Sequence, residues 1–261
     1  LVTGPQPNIL PVMRFRSFFL AAAAALLIGA APSVADSPVV VELYTSEGCN
    51  SCPPADQYLF ELRERDNVIA LAFHVDYWDY LGWKDRFATE DYTNRQRAYA
   101  RAMSSPMIYT PQMVVNGAEH VVGSDRRRVD DAIQQASSRP PAIDIGLTWT
   151  ENRALTVSIP AAEFEGDATI WFVRYSLAEE SNVTSGENAG KHLVHANVVE
   201  ELAALSMWKG EAIDITLPRE AIVDDSGEHG FGCAIIVQPE GLGPILGARE
   251  ITYETEATST W

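Results

Sequence analysis

Basic residues are scarce in this chain. Nineteen Lys and Arg stand against 36 Asp and Glu, a formal net charge of −17 over 261 residues. Phosphate contacts require clustered Lys and Arg, so nucleic acid is excluded as a partner. Anionic lipid is disfavoured for the same reason, and the negative excess reads as a solubility feature. Cysteine is scarce too, with three residues in all, too few for a disulfide-built scaffold. No G-x-S-x-G, P-loop, H-E-x-x-H or G-x-G-x-x-G pattern occurs, which leaves hydrolase, nucleotide and dinucleotide readings without support. There is no internal repeat, and beyond residue 35 no apolar run is long enough to span a bilayer.

The one strongly apolar stretch lies near the start. Met13-Arg14-Phe15-Arg16 is a basic n-region, Phe18 to Ala31 is a run of 14 apolar or small residues, and Ser33-Val34-Ala35 places small residues at a cleavage site. This is the pattern of a secretory signal peptide cut after Ala35, with residues 1–12 ahead of a start at Met13. The expected mature chain, from residue 36, is periplasmic or secreted and without a membrane segment. Its cysteines then meet an oxidising compartment, where a disulfide persists.

Two of the three cysteines form the most informative motif, Cys49-Asn50-Ser51-Cys52. It lies between a β-branched run, Val39 to Thr45, and a helical stripe of Ala55, Tyr58, Leu59 and Leu62. Sulfurs at this spacing reach bonding distance with little backbone movement and can switch between dithiol and disulfide. Pro53 stands where a haem-attachment motif requires histidine. A static structural disulfide and a metal clip remain open as alternatives.

Up to residue 137 the pattern alternates strand and helix. Val68 to Val75 reads as a second strand, followed by the aromatic-acidic stretch Asp76 to Trp83 and a helix near 90–104. Asn116-Gly117 is a hairpin signal between strands at 112–115 and 118–122, and Ser124 is the expected N-cap of a last helix. Ser137 to Pro141 reads as a linker. Beyond it, helical periodicity fades and short apolar strands follow one another. Within them Gly186 to Asn197 is rich in Asn, Gly and His; it is expected near the domain interface or the Cys49 edge, where it restricts access to the thiol, the alternative being a turn-rich hairpin with no role in binding. The expected fold is an α/β thioredoxin-like domain over 36–139, with a helical insert, followed by a mostly-β, antiparallel sandwich-like domain over 140–261.

That domain order, with Thr110-Pro111 ahead of the third strand, resembles the thioredoxin superfamily, which implies a cis proline facing the cysteines. Glu42 to Asp56, His74 to Asp79, Tyr109 to Gln112 and Ser185 to Gly190 together resemble a secreted bacterial family catalogued as "domain of unknown function 1223". The resemblance implies a thioredoxin-like fold and export, and no substrate. On this reading Cys49 is the attacking thiol and the more exposed one, Cys52 the resolving thiol, and Thr110, Pro111, Trp78 and Asp76 flank the substrate. Protein thiols and disulfides are the expected partners, with no cofactor. Glu42 is a candidate buried acid for the resolving thiol. The alternative is a non-enzymatic module binding copper, zinc or a protein, with His74 as a possible added donor. His192 and His195, three apart in a strand, point to opposite faces and make poor co-ligands. Cys233, in an apolar run, reads as a buried small hydrophobe. Oligomeric state is not legible.

Overall fold

Two adjacent seven-residue strands are buried at every position: β1, Val39–Thr45, and β2, Val68–His74. Their runs of Val, Ile, Leu and Phe suit central strands covered on both faces. The computed structural model describes residues 1–4, 37–222 and 230–253; the signal-peptide reading therefore falls on residues outside the described ones. β1 pairs in parallel with β2, from Val39 opposite Val68 to Thr45 opposite His74, and antiparallel with β3, Gln112–Val115. Helix α1, Pro53–Arg63, is the crossover from β1 to β2 and lays Ala55, Tyr58, Leu59 and Leu62 on the sheet face bearing Val41 and Leu43. Helix α2, Glu90–Ala102, packs on the opposite face, with Tyr92 and Tyr99 against Tyr44 and Phe73.

Asn116 and Gly117 both take positive φ, 49° and 66°, and turn β3 into β4, Glu119–Val122, as the hairpin signal requires. Helix α3, Arg126–Ser137, follows. Its N-cap is Asp125, whose carboxylate accepts from Arg128 N at 3.3 Å, rather than the expected Ser124.

The expected fold class is corrected at the outer edge of β2. The chain does not close one α/β domain and then begin a separate β domain. β7, Ala168–Asn182, and β8, His192–Trp208, form a long antiparallel hairpin, and β8 lies against β2, with Ala72 opposite Val198. β10, Phe231–Pro239, and β11, Gly247–Tyr253, extend the same sheet. One eight-stranded mixed sheet results, in the order β11-β10-β7-β8-β2-β1-β3-β4. A smaller sheet of β5, Gly146–Trp149, β6, Leu155–Ile159, and β9, Ile213–Leu217, packs Leu155, Val157 and Ile159 against Ile170, Phe172, Ile235 and Val237. The molecule is mostly β. The strands after residue 140 have the expected antiparallel partners among themselves. What sequence periodicity does not encode is that one of them also covers an apolar strand of the first half, an edge that cannot stay open to water without inviting aggregation.

At the β2–β8 seam a side chain helps the backbone. Asn197, at φ 48°, donates through Nδ2 to the carbonyl of Ala70 at 2.8 Å. A fragment ending at 139 leaves β2 with an unpaired edge. Residues 37–139 alone are expected to lack a cooperative thermal transition by near-ultraviolet circular dichroism, whereas 37–261 melts cooperatively; an independent, cooperative melt of the fragment would contradict the shared sheet.

Candidate functional site

The turn that leaves β1 is built from its own backbone. Gly48 N donates to Ser46 Oγ at 3.1 Å, Cys49 N to Ser46 O at 3.1 Å and Cys52 N to Cys49 O at 3.3 Å. Gly48 is required by space: a Cβ there would lie 2.9 Å from Trp78 Cβ. Proline disfavours a helical residue before it, yet Cys52 sits at φ −77°, ψ −37°. Its carbonyl accepts from Ala55 N and Asp56 N at 2.8 and 3.1 Å, so it caps α1, with Pro53 in the first-turn position where a missing N–H costs nothing.

Cys49 and Cys52 are joined as a disulfide, with Cα atoms 5.5 Å apart. The expected asymmetry of exposure is absent: Cys49 is 1% and Cys52 0% exposed, while Asn50 and Ser51 between them face solvent. Part of the enclosure comes from the segment joining β7 to β8. Asn188, fully buried, donates through Nδ2 to the carbonyls of Glu47 at 2.8 Å and Cys49 at 3.0 Å. Lys191 Nζ donates to Asn188 Oδ1 at 2.8 Å, and Ser185 Oγ to Gly82 O at 2.6 Å. The Ser185–Gly190 motif thus clamps the CxxC turn.

Beside the turn lies a buried set of three carboxylates and two imidazoles. His74 Nδ1 is 2.7 Å from Asp85 Oδ2, with both side chains inaccessible. Asp85 also accepts from Glu47 N at 2.9 Å and Phe87 N at 3.0 Å. Glu47 takes the indole N–H of Trp83 at 2.6 Å and lies 3.6 Å from His195 Nε2. Asp56 accepts from Thr45 Oγ1 at 2.7 Å and lies 4.0 Å from His195 Nδ1. The two imidazoles meet edge to face, centroids 4.7 Å apart. Glu47 Oε1, His74 Nε2 and both nitrogens of His195 have no hydrogen-bond partner among the described residues. Incomplete pairing of buried polar atoms is uncommon and calls for a reason.

The environment separates these acids. Burial pushes the Asp56 carboxyl up, and the nearby imidazoles only partly oppose it. For Asp85 burial acts the same way, but the charge of His74, its hydrogen bond and the two backbone N–H groups outweigh it and hold the carboxyl at about 2. For His74 burial would lower the pKa; the charge and hydrogen bond of Asp85, then Asp56 and Glu47, turn the shift upward.

The expected substrate-flanking residues divide. The Thr110-Pro111 peptide is cis. Trp78 Nε1 donates to Thr110 Oγ1 at 2.8 Å, and the same Trp78 abuts Gly48, so Trp78 links the proline loop to the cysteine turn. Pro111 O accepts from Gly123 N at 2.9 Å, and a Cβ on Gly123 would lie 3.1 Å from Ala55 in α1. Asp76 instead accepts from Thr93 Oγ1 of α2 at 2.6 Å, a tie to the insert. Glu42 is not the acid near the cysteines. It alternates onto the α2 face, where Arg95 grips it through two bonds of 2.9 Å and Tyr99 and Tyr44 donate to it at 2.7 and 2.8 Å. Asp56 is the buried acid on α1, and it had a sequence signal: it lies four residues after Cys52, on the same helix face. Asn188 and His195 lie in the stretch 186–197 expected near the Cys49 edge, and the bond from Asn188 to the Cys49 carbonyl places it there; Asp85 and Glu47 were missed, because they converge from separate segments. His192 is exposed and lies 3.4 Å from Glu180, apart from the buried His195. Cys233 is buried; burial, with Glu250 nearby, pushes its thiol up to about 12.

Fold and site together define a mixed-sheet protein with a cystine at a strand-to-helix turn, backed by buried imidazoles and carboxylates. The chain belongs to the family described as "Protein of unknown function (DUF1223)", whose pattern matches residues 40–238. Among solved structures it is similar to protein AGR_C_4864 from Agrobacterium tumefaciens, with 29% identity, a TM-score of 0.69, and coverage of 84% of this chain and 96% of that one. It is also similar to HBP35 of Porphyromonas gingivalis, at 13% identity and a TM-score of 0.56, covering 86% of this chain and 79% of that one, a likeness of fold alone. No curated protein matches.

The His74–Asp85 pair has a testable pH signature. A raised imidazole pKa contributes stability that is complete below its unfolded value, about 6.5, and is lost as pH rises through the folded value. A depressed carboxyl pKa contributes stability above about 3.9 that is lost as pH falls through the folded value, about 2. Asp56, raised, acts against stability as it ionises. Chemical denaturation should therefore show stability declining from pH 6 to 8. Asp85→Asn should cost about 3 kcal/mol at pH 6 and flatten that decline; equal slopes in the two proteins would mean His74 carries no charge in the folded state.

Proposed function

We propose that this protein carries out thiol–disulfide exchange at Cys49 and Cys52. The observation that supports it is the buried, incompletely hydrogen-bonded set of Asp56, His195 and Glu47 beside a formed cystine. A purely structural cross-link has no use for it, because such a bond exchanges no proton. An exchanging pair does. In the oxidising direction a partner's thiolate attacks Cys49 Sγ, the Cys49–Cys52 bond breaks, and Cys52 leaves as a thiolate. Asp56, one helical turn on and raised by burial, supplies its proton. A second thiolate of the partner attacks the mixed disulfide at the partner's sulfur, so Cys49 leaves and the partner keeps the new disulfide while this protein keeps two thiols. The reducing direction is the reverse, with Cys49 attacking and Cys52 resolving. A cleft of about 230 Å3 lined by Asp56, Gln57, His192 and Val194 gives the acid a route for proton exchange with solvent.

The thioredoxin-like character proposed here is one of chemistry. It is supported by a CxxC at a strand-to-helix turn, linked through Trp78 to a cis Thr110-Pro111. The partners are protein thiols and disulfides. Because both sulfurs are covered, a partner must displace or lift the Asn188 clamp before reaching Cys49. The copper or zinc alternative gains no observation: among the described residues no three His, Cys, Asp or Glu side chains are grouped to hold a metal ion.

Export is part of the same proposal and is supported by the signal-like stretch 13–35 alone. Intact mass of the chain made in a Gram-negative host should correspond to a start at Asp36; an uncleaved chain would remove the compartment argument.

The decisive experiment is trapping. Cys52→Ala, expressed with export intact, should accumulate mixed disulfides on Cys49 that are released by reductant, and Cys49→Ala should not. In the reduced wild type, Asn188→Ala should speed alkylation of Cys49, while Cys233 stays unlabelled until unfolding. Absence of any mixed disulfide, together with no measurable exchange with a peptide disulfide, would leave the cystine as a cross-link.

A further inference from the structure

On the α2 side of the large sheet, α2, β7, β8 and the β10–β11 turn enclose a cavity of about 660 Å3. That is the size of a ligand site, and nothing in the disulfide chemistry uses it. Its inner walls are largely apolar, with Ala98, Leu202, Leu242 and the ring of Tyr92.

Two hydrogen-bond donors lie together within this lining. Trp171 Nε1 is buried and has no hydrogen-bond partner among the described residues. Arg95, with its side chain 4% exposed, commits Nε to Glu42 and Nη2 to Glu42, Tyr99 and Gln238. Its Nη1 makes no hydrogen bond among the described residues. The Arg95 guanidinium carbon lies 5.4 Å from the centre of the Trp171 ring, so the two side chains are neighbours. The mouth has the opposite character. Asp91, Glu200, Glu201 and Glu240 line it and are exposed. Arg174 lies 3.8 and 3.6 Å from Glu200 and Glu201, whereas no cation pairs with Asp91 or Glu240 among the described residues.

We propose that this cavity binds a short apolar peptide with free ends, about the size of a dipeptide. Its carboxylate meets Arg95 Nη1 and Trp171 Nε1, its side chains lie on the apolar walls, and its ammonium group sits among the mouth carboxylates. Charge decides the class. A simple anion would have to pass and remain beside Asp91 and Glu240, whose charge no cation offsets among the described residues. A simple cation would leave the inner donors unmet. A zwitterion satisfies both ends, and the volume exceeds what a single amino acid needs. Charge-assisted bonds at each terminus are stronger than neutral ones, so both ends contribute to recognition.

The test is calorimetric titration of the full chain with the dipeptide Leu-Leu, its N-acetyl form and its C-terminal amide. Leu-Leu binds, and each blocked form binds weaker by about tenfold or more, the loss of one charge-assisted contact. Asp91→Asn with Glu240→Gln weakens Leu-Leu and leaves the N-acetyl form unchanged. Trp171→Phe weakens Leu-Leu more than the amide, with the melting temperature reporting that the fold is kept; where that variant does not fold, the surface double variant carries the test. Failure of Leu-Leu to bind the wild type overturns the proposal. So does equal affinity of free and blocked peptides, or unchanged affinity in the double variant. The site is independent of the thiol chemistry, so Cys49→Ser with Cys52→Ser binds Leu-Leu as the wild type does.

Discussion

The pairing of β8 with the outer edge of β2 is the constraint on which the rest depends. β2 is buried along its whole length and has β1 on one side only. Covering its other edge requires a strand from far along the chain, and β8 provides it with one bridge at Ala72 and the Asn197 side chain on Ala70. His195 lies two residues from that Asn197 and Asn188 lies at the hairpin's end. The contact that completes the sheet therefore also delivers an imidazole beside Asp56 and a clamp onto Cys49. Site and fold are not separable here in the way a loop grafted on a finished scaffold would be.

Charge is buried on both faces of β1 and treated differently on each. On the α2 face Glu42 is saturated: Arg95 and two tyrosines account for its oxygens, and removing one member would cost about 3–5 kcal/mol by stranding the other. On the disulfide side the set is left partly unmet, with four buried nitrogen and oxygen atoms lacking partners among the described residues. A saturated pair fixes structure. An unsaturated one keeps protons available to move, which is the physical difference between a staple and a candidate reaction centre.

Much of the cysteine turn was legible in the sequence. Spacing located Cys49 and Cys52 at a strand-to-helix junction, Asn116-Gly117 marked a hairpin, and Thr110-Pro111 marked the cis bond. These are local signals, carried by a few consecutive residues. What failed was non-local. The alternation in 168–238 says that strands exist, but not that one of them pairs with Ala72. Glu42 was placed by analogy of position, and a one-residue alternation puts it on the wrong face for that role. Asp56 was readable from its i+4 relation to Cys52. Asp85 was not, since nothing near it in the chain points to the cysteines, and His195 was marked only through the segment 186–197 that contains it. Burial of Cys49 was missed for the same reason: its cover is encoded in Ser185–Gly190.

The clamp has a consequence in time. Asn188 and Glu47 are 141 residues apart in sequence, whereas the cysteine turn closes through bonds between residues two or three apart. Contacts of such long separation form late, because the loop entropy must be met first. As the chain emerges in order, the thiols are complete and open long before the segment that hides them exists. The sulfurs are thus open until the end of the β7–β8 hairpin docks and sheltered afterwards, so a reagent that reaches them freely in the unfinished fold has to displace Asn188 in the finished one.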